Sequence, residues 1–134
     1  MLLKRASFQK YYPDAWQVVT GKIELVNGRK ETFVEASIRE MKEETGLSPV
    51  TIYNIPYVAV FSDHFINTIQ HAPVIGIEVD CWKECQISNE HQDFTWLNVN
   101  EANNRLDIYS HKIGAKIFEE EVLLNKNKIY NLDF

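Results

Sequence analysis

The run Arg39-Glu40-Met41-Lys42-Glu43-Glu44-Thr45-Gly46-Leu47 brings three carboxylates close together. On a helical wheel of about 100° per residue, Glu40, Glu43 and Glu44 share one side. Val34, Ile38, Met41 and Thr45 form a narrow stripe opposite. Like charges three or four residues apart repel, and the C-terminal end of a helix disfavours negative charge. Arg39 and Lys42 lie to the sides and do not neutralise the trio. Hard divalent cations remove both costs, because Mg²⁺ takes carboxylate oxygens together with water and substrate phosphates. The plain alternative is a solvated acidic face.

A helix must hold these residues in register. Thr32 with Glu35 forms a capping-box pattern, and Gly46 is placed to end the helix in a left-handed conformation. The spacing predicts a helix over Phe33 to Thr45. Asn27-Gly28 is a turn dipeptide within the polar stretch Asn27 to Glu31. Met1 to Arg5 reads as the end of a strand, Ala15 to Thr20 as a strand, and Val50 to Ser62 as one or two strands interrupted near Pro56. Asp63 to Ala72 shows no period and reads as a loop. Pro73 to Trp82 alternates, with Ile75, Ile77, Val79 and Cys81 on one face and Gly76, Glu78 and Asp80 on the other. A short strand is expected at Phe94 to Leu97 and a helical turn at Val99 to Arg105. A final helix runs from a cap at Ser110 to about Leu124, with Ile113, Ile117 and Val122 near one stripe, before the tail Lys126 to Phe134. This order of elements indicates an α+β sandwich and not a repeating βαβ unit.

The Arg39 to Leu47 segment resembles the core of the Nudix box, R-E-U-x-E-E-x-G-U, where U is bulky and apolar. Seven residues separate Glu31 from Arg39, as the box requires, and Gly21-Lys22-Ile23-Glu24 is similar to its glycine-led start. One departure stands out. The usual pattern has five residues between that glycine and the glutamate, and Lys22 to Lys30 supplies nine. The extra residues lie around Asn27-Gly28, where a longer surface turn costs little, so a longer loop and an intact site are expected. Trp16-Gln17-Val18-Val19-Thr20-Gly21, and Glu90-His91 followed by Phe94-Thr95-Trp96-Leu97, resemble the branch with bacterial dATP and dihydroneopterin triphosphate pyrophosphohydrolases. The likeness spans about Leu2 to Leu124.

The resemblance implies an α/β/α sandwich with a mixed β-sheet between helices. It implies Mg²⁺- or Mn²⁺-dependent hydrolysis of a nucleoside diphosphate linked to another group. The leading substrate is a (deoxy)nucleoside triphosphate, cleaved to a nucleoside monophosphate and pyrophosphate. Dihydroneopterin triphosphate, a dinucleoside polyphosphate or a nucleotide sugar are the alternatives, as is a nucleotide-binding module without turnover. By the same likeness Glu40, Glu43, Glu44 and the main-chain carbonyl of Gly21 hold metal, and Arg39 orients the carboxylates. The general base is Glu90, from a loop outside the box, or Glu44 itself; Glu90 is alternatively a ligand of a further metal ion or a solvated loop residue, and Glu78 is explained by the polar face of a strand. Arg5 and Lys22 are candidates for substrate phosphate, with solvated bases as the alternative. Tyr11, Tyr12, Phe61, Phe65 and Tyr109 are candidates for stacking on a base, against core or rim positions. His64, His71, His91 and His111 form no metal spacing and receive no ligand role.

Composition narrows the partners. The chain of 134 residues fits one domain spanning 1–134. Its 19 acidic and 14 basic residues give a net charge of -5, which argues against a nucleic acid polymer as ligand. A small phosphorylated ligand stays compatible, since a bound cation reverses the local sign. Cys81 and Cys85 are too few for a disulfide framework and read as reduced thiols. No apolar run approaches the ~20 residues of a membrane span, and no secretory pattern opens the chain. A cytoplasmic protein is expected. Relatives commonly carry a strand before Leu2-Leu3-Lys4-Arg5, so a bare sheet edge and a homodimer are also expected.

Overall fold

The computed structural model describes residues 1–80, 82–125 and 128–132. Three antiparallel assemblies frame one long helix. β1 (Leu2–Arg5) lies between β2 (Trp16–Gln17) and β7 (His91–Thr95). β3 (Leu25–Val26) and β4 (Arg29–Lys30) form a small hairpin. β5 (Pro49–Asp63) lies between β6 (Thr68–Val79) and the short β8 (Asn131–Leu132). The expected α+β class holds.

The first sheet corrects one expectation. Both edges of β1 are paired, with Leu3 opposite Gln17 on one side and Phe94 on the other. β1 is therefore an inner strand, and the edges of this sheet are β2 and β7.

Helix α1 (Phe33–Thr45) starts and stops where its local chemistry dictates. The Thr32 hydroxyl accepts from the Glu35 N–H, and the Glu35 carboxylate accepts from the Thr32 N–H. Gly46 closes the helix at φ 70° and donates its N–H to the Lys42 carbonyl. The last carbonyls are taken from outside, by the N–H groups of Gln86 on Thr45 and Ser88 on Glu44. This cover changes the buried face. Met41 and Thr45 are buried as expected, but Val34 and Ile38 are only half-buried, while Ala36 and Glu44 are buried. Glu44 thus lies inside, not on a solvent face.

The Asp63 to Ala72 segment is not a loop. β5 and β6 continue through it as a long hairpin, paired as far as Asp63 with Thr68, with the tip at His64 to Asn67. No break occurs at Pro56, although the register shifts between Asn54 and Val58. Strand β6 ends at Val79, before Trp82, and Cys81 lies outside the described residues. The strand placed at Phe94 to Leu97 lies earlier, at His91–Thr95.

Helix α2 (Val99–Arg105) forms as expected, capped reciprocally by Asn98 and Glu101. Helix α3 (Tyr109–Phe118) does not use Ser110 as a cap. Its start is fixed by β2 instead: the Trp16 N–H donates to Asp107 and the Asp107 N–H to the Trp16 carbonyl. The helix widens into a π-type turn over Glu119–Leu124, where Val122 is buried. Of the tail, Asn131–Leu132 pairs with Ile52 and Tyr53 of β5, and residues 126, 127, 133 and 134 lie outside the described residues. Leu2, Ala102 and Leu106 form a core cluster beneath Trp16, Val18 and Leu97. No described helix is long and apolar enough to cross a membrane.

Candidate active site

Arg39 organises the acidic helix. Its Nε and Nη2 donate to the two oxygens of Glu31 at 2.8 and 3.0 Å, a bidentate pair. Its Nη1 reaches Glu40 at 2.9 Å and Glu43 at 3.1 Å, and Nη2 also donates to the Lys22 carbonyl at 2.8 Å. One guanidinium therefore ties the helix to the segment before it. This explains the fixed distance between Glu31 and Arg39. Glu31 is buried, and the Arg39 guanidinium holds its carboxyl below the usual range.

The lengthened loop leaves this arrangement whole. Glu24 and Glu31 bond each other twice, through Glu24 N–H to the Glu31 carboxylate and Glu31 N–H to the Glu24 carbonyl. The insertion between them is the β3–β4 hairpin, turned at Asn27 and Gly28 with φ of 51° and 81°. Positive φ at both central positions is the type I′ pattern that Asn-Gly favours. Gly21 is confined for another reason. A Cβ there would collide with the Glu40 side chain, so only glycine lets the backbone pass this close to the carboxylate.

Glu44 occupies a different environment. It is 6% exposed, and its Oε2 has no hydrogen-bond partner. Burial, then the charges of Glu40 and Glu90, push its carboxyl up to about 8, with Glu43 adding to the effect and Arg5 opposing it. His91 Nε2 lies 3.9 Å from this oxygen. The ring is fully buried and its Nδ1 is also unpartnered. Burial holds the imidazole pKa below its ordinary value, and nearby Arg5 adds to this, so the ring is neutral at neutral pH and makes no salt bridge. Gln17 Nε2 stands 3.4 Å from the same His91 nitrogen.

Arg5 faces His91 across the β1–β7 pairing, and the Ala6 N–H donates to the Glu90 carbonyl. These contacts place Arg5 and Glu90 on the strand ends that hold His91, 3.9 Å from Glu44. The Lys22 main chain meets the acidic helix, its N–H 3.3 Å from Glu40 Oε1. Glu78 lies on β6, 3.4 Å from the Tyr53 hydroxyl, which accounts for it without chemistry. The buried roles of His91 and Gln17 escaped sequence reasoning. Both depend on strand register, which neighbouring residues do not encode.

The carboxylates and the Gly21 carbonyl are hard oxygen donors, a set suited to Mg²⁺ or Mn²⁺. Among the described residues no three acidic, His or Cys side chains close into a ligand set. The cause is visible at Glu40 and Glu43, which both turn toward Arg39 Nη1. A buried, unpaired Glu44 oxygen amid three like charges is nevertheless what a cation would relieve. The residues fit such an ion.

A capped helix bearing glutamates anchored by arginine, set among antiparallel strands, describes an acidic-helix hydrolase. A model of the NUDIX domain matches residues 1–121, and the chain belongs to that family, an enzyme of the pyrophosphohydrolase kind. Among solved structures it is similar to a NUDIX hydrolase of Listeria monocytogenes, with TM-score 0.73 and 22% identity over 92% of this chain and 83% of that one. It also resembles the dihydroneopterin triphosphate pyrophosphohydrolase of E. coli, with TM-score 0.67 and 22% identity over 92% and 84%. A C. elegans Ap4A hydrolase matches with TM-score 0.67 and 19% identity over 91% and 84%. No curated protein sequence matches this chain.

Proposed function

We propose that this chain is a single-domain, Mg²⁺- or Mn²⁺-dependent pyrophosphohydrolase. Its substrate is a nucleoside diphosphate linked to another group, foremost a (deoxy)nucleoside triphosphate, which water splits into a nucleoside monophosphate and pyrophosphate. The observation that carries this reading is Glu44, a buried carboxyl with an unpaired oxygen amid Glu40, Glu43 and Glu90. Glu40, Glu43, Glu44, Glu90 and the Gly21 carbonyl would hold the metal. When bound, the metal offsets the substrate's charge, polarises the phosphoryl oxygen and acidifies the attacking water.

The side chains have separable tasks. Arg39 holds Glu40 and Glu43 in orientation from behind. Arg5 and Lys22 would bind substrate phosphate; in support, Arg5 pairs with His91 beside Glu44 and the Lys22 N–H reaches Glu40. Glu90 takes the water's proton, with Glu44 as the alternative acceptor. His91 limits the directions open to Glu44 by filling the space behind it. The working compartment is the cytoplasm, where nucleotides are available and a free Cys85 stays reduced.

Incubation with Mg²⁺ and a panel of nucleoside triphosphates, dihydroneopterin triphosphate, dinucleoside polyphosphates and nucleotide sugars tests the reading. The expected products are a monophosphate and pyrophosphate from at least one triphosphate. Binding without any phosphate-containing product would instead define a nucleotide-binding module.

A further inference from the structure

Two segments far apart in sequence meet beside Arg5. The first is the loop between β1 and β2, which carries Tyr11 and Tyr12. The second is the tip of the β5–β6 hairpin, which carries His64 and Phe65. Phe65 lies 4.3 Å from Tyr11 and 6.3 Å from Tyr12 between ring centroids, the latter at an interplanar angle of 87°. His64 stacks on Phe65 at 3.9 Å. Despite these contacts, Tyr12 remains 57% exposed and Phe65 47% exposed. Rings that only held the hairpin down would gain more by burial.

The loop is built to present them. Tyr12 and Asp14 adopt φ of 49° and 63°, a conformation that side-chain-bearing residues rarely take. Asp14 is held there by Ser7 at 2.8 Å and Gln92 at 2.6 Å, and Gln92 also donates to the Arg5 carbonyl. The Tyr11 carbonyl accepts from Arg5 Nε at 2.9 Å. The cluster therefore adjoins Arg5, whose backbone pairs with His91 on β7, and His91 in turn lies 3.9 Å from Glu44. Lys10, over the Tyr11 ring at 5.0 Å, adds a second positive charge at the rim.

We propose that Tyr12 and Phe65 form the subsite for the planar heteroaromatic ring of the substrate, with Arg5 marking the junction between ring and phosphates. Tyr12 offers the more exposed ring for a planar guest to stack on, and Phe65, held at a right angle to it and flanked by Tyr11 and His64, offers its exposed edge. The inference rests on the pyrophosphohydrolase reading and deepens it. It names the feature by which a base-bearing polyphosphate is preferred over one without a ring. Purine, pyrimidine and pterin share that chemistry.

Steady-state kinetics with dATP, dCTP, dihydroneopterin triphosphate and ribose 5-triphosphate, which lacks a ring, test it and tell the ring classes apart. The wild type should prefer ring-bearing substrates in kcat/KM. Phe65→Ala and Tyr12→Ala should reduce that preference by about tenfold or more through KM, the scale of lost base stacking. Phe65→Trp should retain it. Phe65→Leu, which keeps apolar bulk without a π-face, should lose it and serves where alanine prevents folding. An unchanged preference ratio, with both substrate kinds weakened alike, would show a merely structural cluster and overturn the proposal. Should no substrate turn over, the hydrolase reading fails separately. Titration calorimetry with a deoxynucleoside monophosphate then decides: binding lost in Phe65→Ala supports the subsite, and no binding to wild type sinks it.

Discussion

Glu40, Glu43 and Glu44 are neighbours in sequence but not in environment. Arg39 compensates Glu40 and Glu43, while Glu44 is buried with one oxygen unpaired. Glu44→Gln keeps the shape and removes the charge, so the fold should survive. Turnover should fall at least ~100-fold, because stabilisation of the phosphoryl charge is lost; a folded variant with wild-type kcat would contradict the role. The same residue sets a pH dependence in the metal-free protein. Its carboxyl, raised from 4.5 to about 8 chiefly by burial, keeps a proton that the unfolded chain has already released. The folded state binds more protons across that window, so stability should fall as pH rises from about 4.5 toward 8. Urea denaturation in EDTA at pH 5 and pH 8 checks this. The stability of wild type relative to Glu44→Gln should be lower at pH 8, and an identical difference at both values would remove the argument.

At the level of elements, α3 approaches β6 closely at two glycines, Gly76 of β6 beneath Phe118 and Gly114 of α3 beside Val74. A Cβ on Gly76 would sit 2.6 Å from the Phe118 ring, closer than packed carbons allow. Gly76→Ala should therefore destabilise by about 1–3 kcal/mol through overpacking. Pairing it with Phe118→Leu should recover part of the loss, and a double-mutant cycle by denaturant unfolding measures the coupling. Additive effects would mean the two residues do not meet. Elements were legible where their signals are local. The capping box, Gly46 and the Asn27-Gly28 turn each specify a backbone conformation within four residues, and α1 and that turn followed, whereas the strands β3 and β4 flanking the turn read in sequence only as a longer loop. The β5–β6 arm was hidden because Phe61 and Ile69 are both exposed, at 45% and 68%, so burial imposes no alternation on its outer half. Pairing of β8 with β5 and tethering of α3 by Trp16 are long-range events.

For the whole molecule, the legible part of the site was the part carried on one helix. The Arg39 anchor and the acidic trio depend on helical spacing. The meeting of Glu44 with His91, Arg5 and Glu90 depends on how β1 pairs with β7, and no short motif encodes it. The folded chain thereby concentrates like charge at one point of a protein that already carries a net charge of -5. Folding brings these carboxylates together and a cation would compensate them, so metal binding and stability are linked. A ligand bound only by the folded state stabilises by RT ln(1 + [L]/Kd), about 4 kcal/mol at a thousandfold excess over Kd. Mg²⁺ should raise the melting temperature of the wild type in a saturable way. The Glu43→Gln/Glu44→Gln double variant should start from a similar or higher value in EDTA and respond much less. Sodium chloride at matched ionic strength separates the site from general screening, which acts over a Debye length of about 10 Å at 0.1 M. Equal rises for both proteins, or a rise reproduced by sodium alone, would mean that the carboxylates are not gathered to hold a divalent ion.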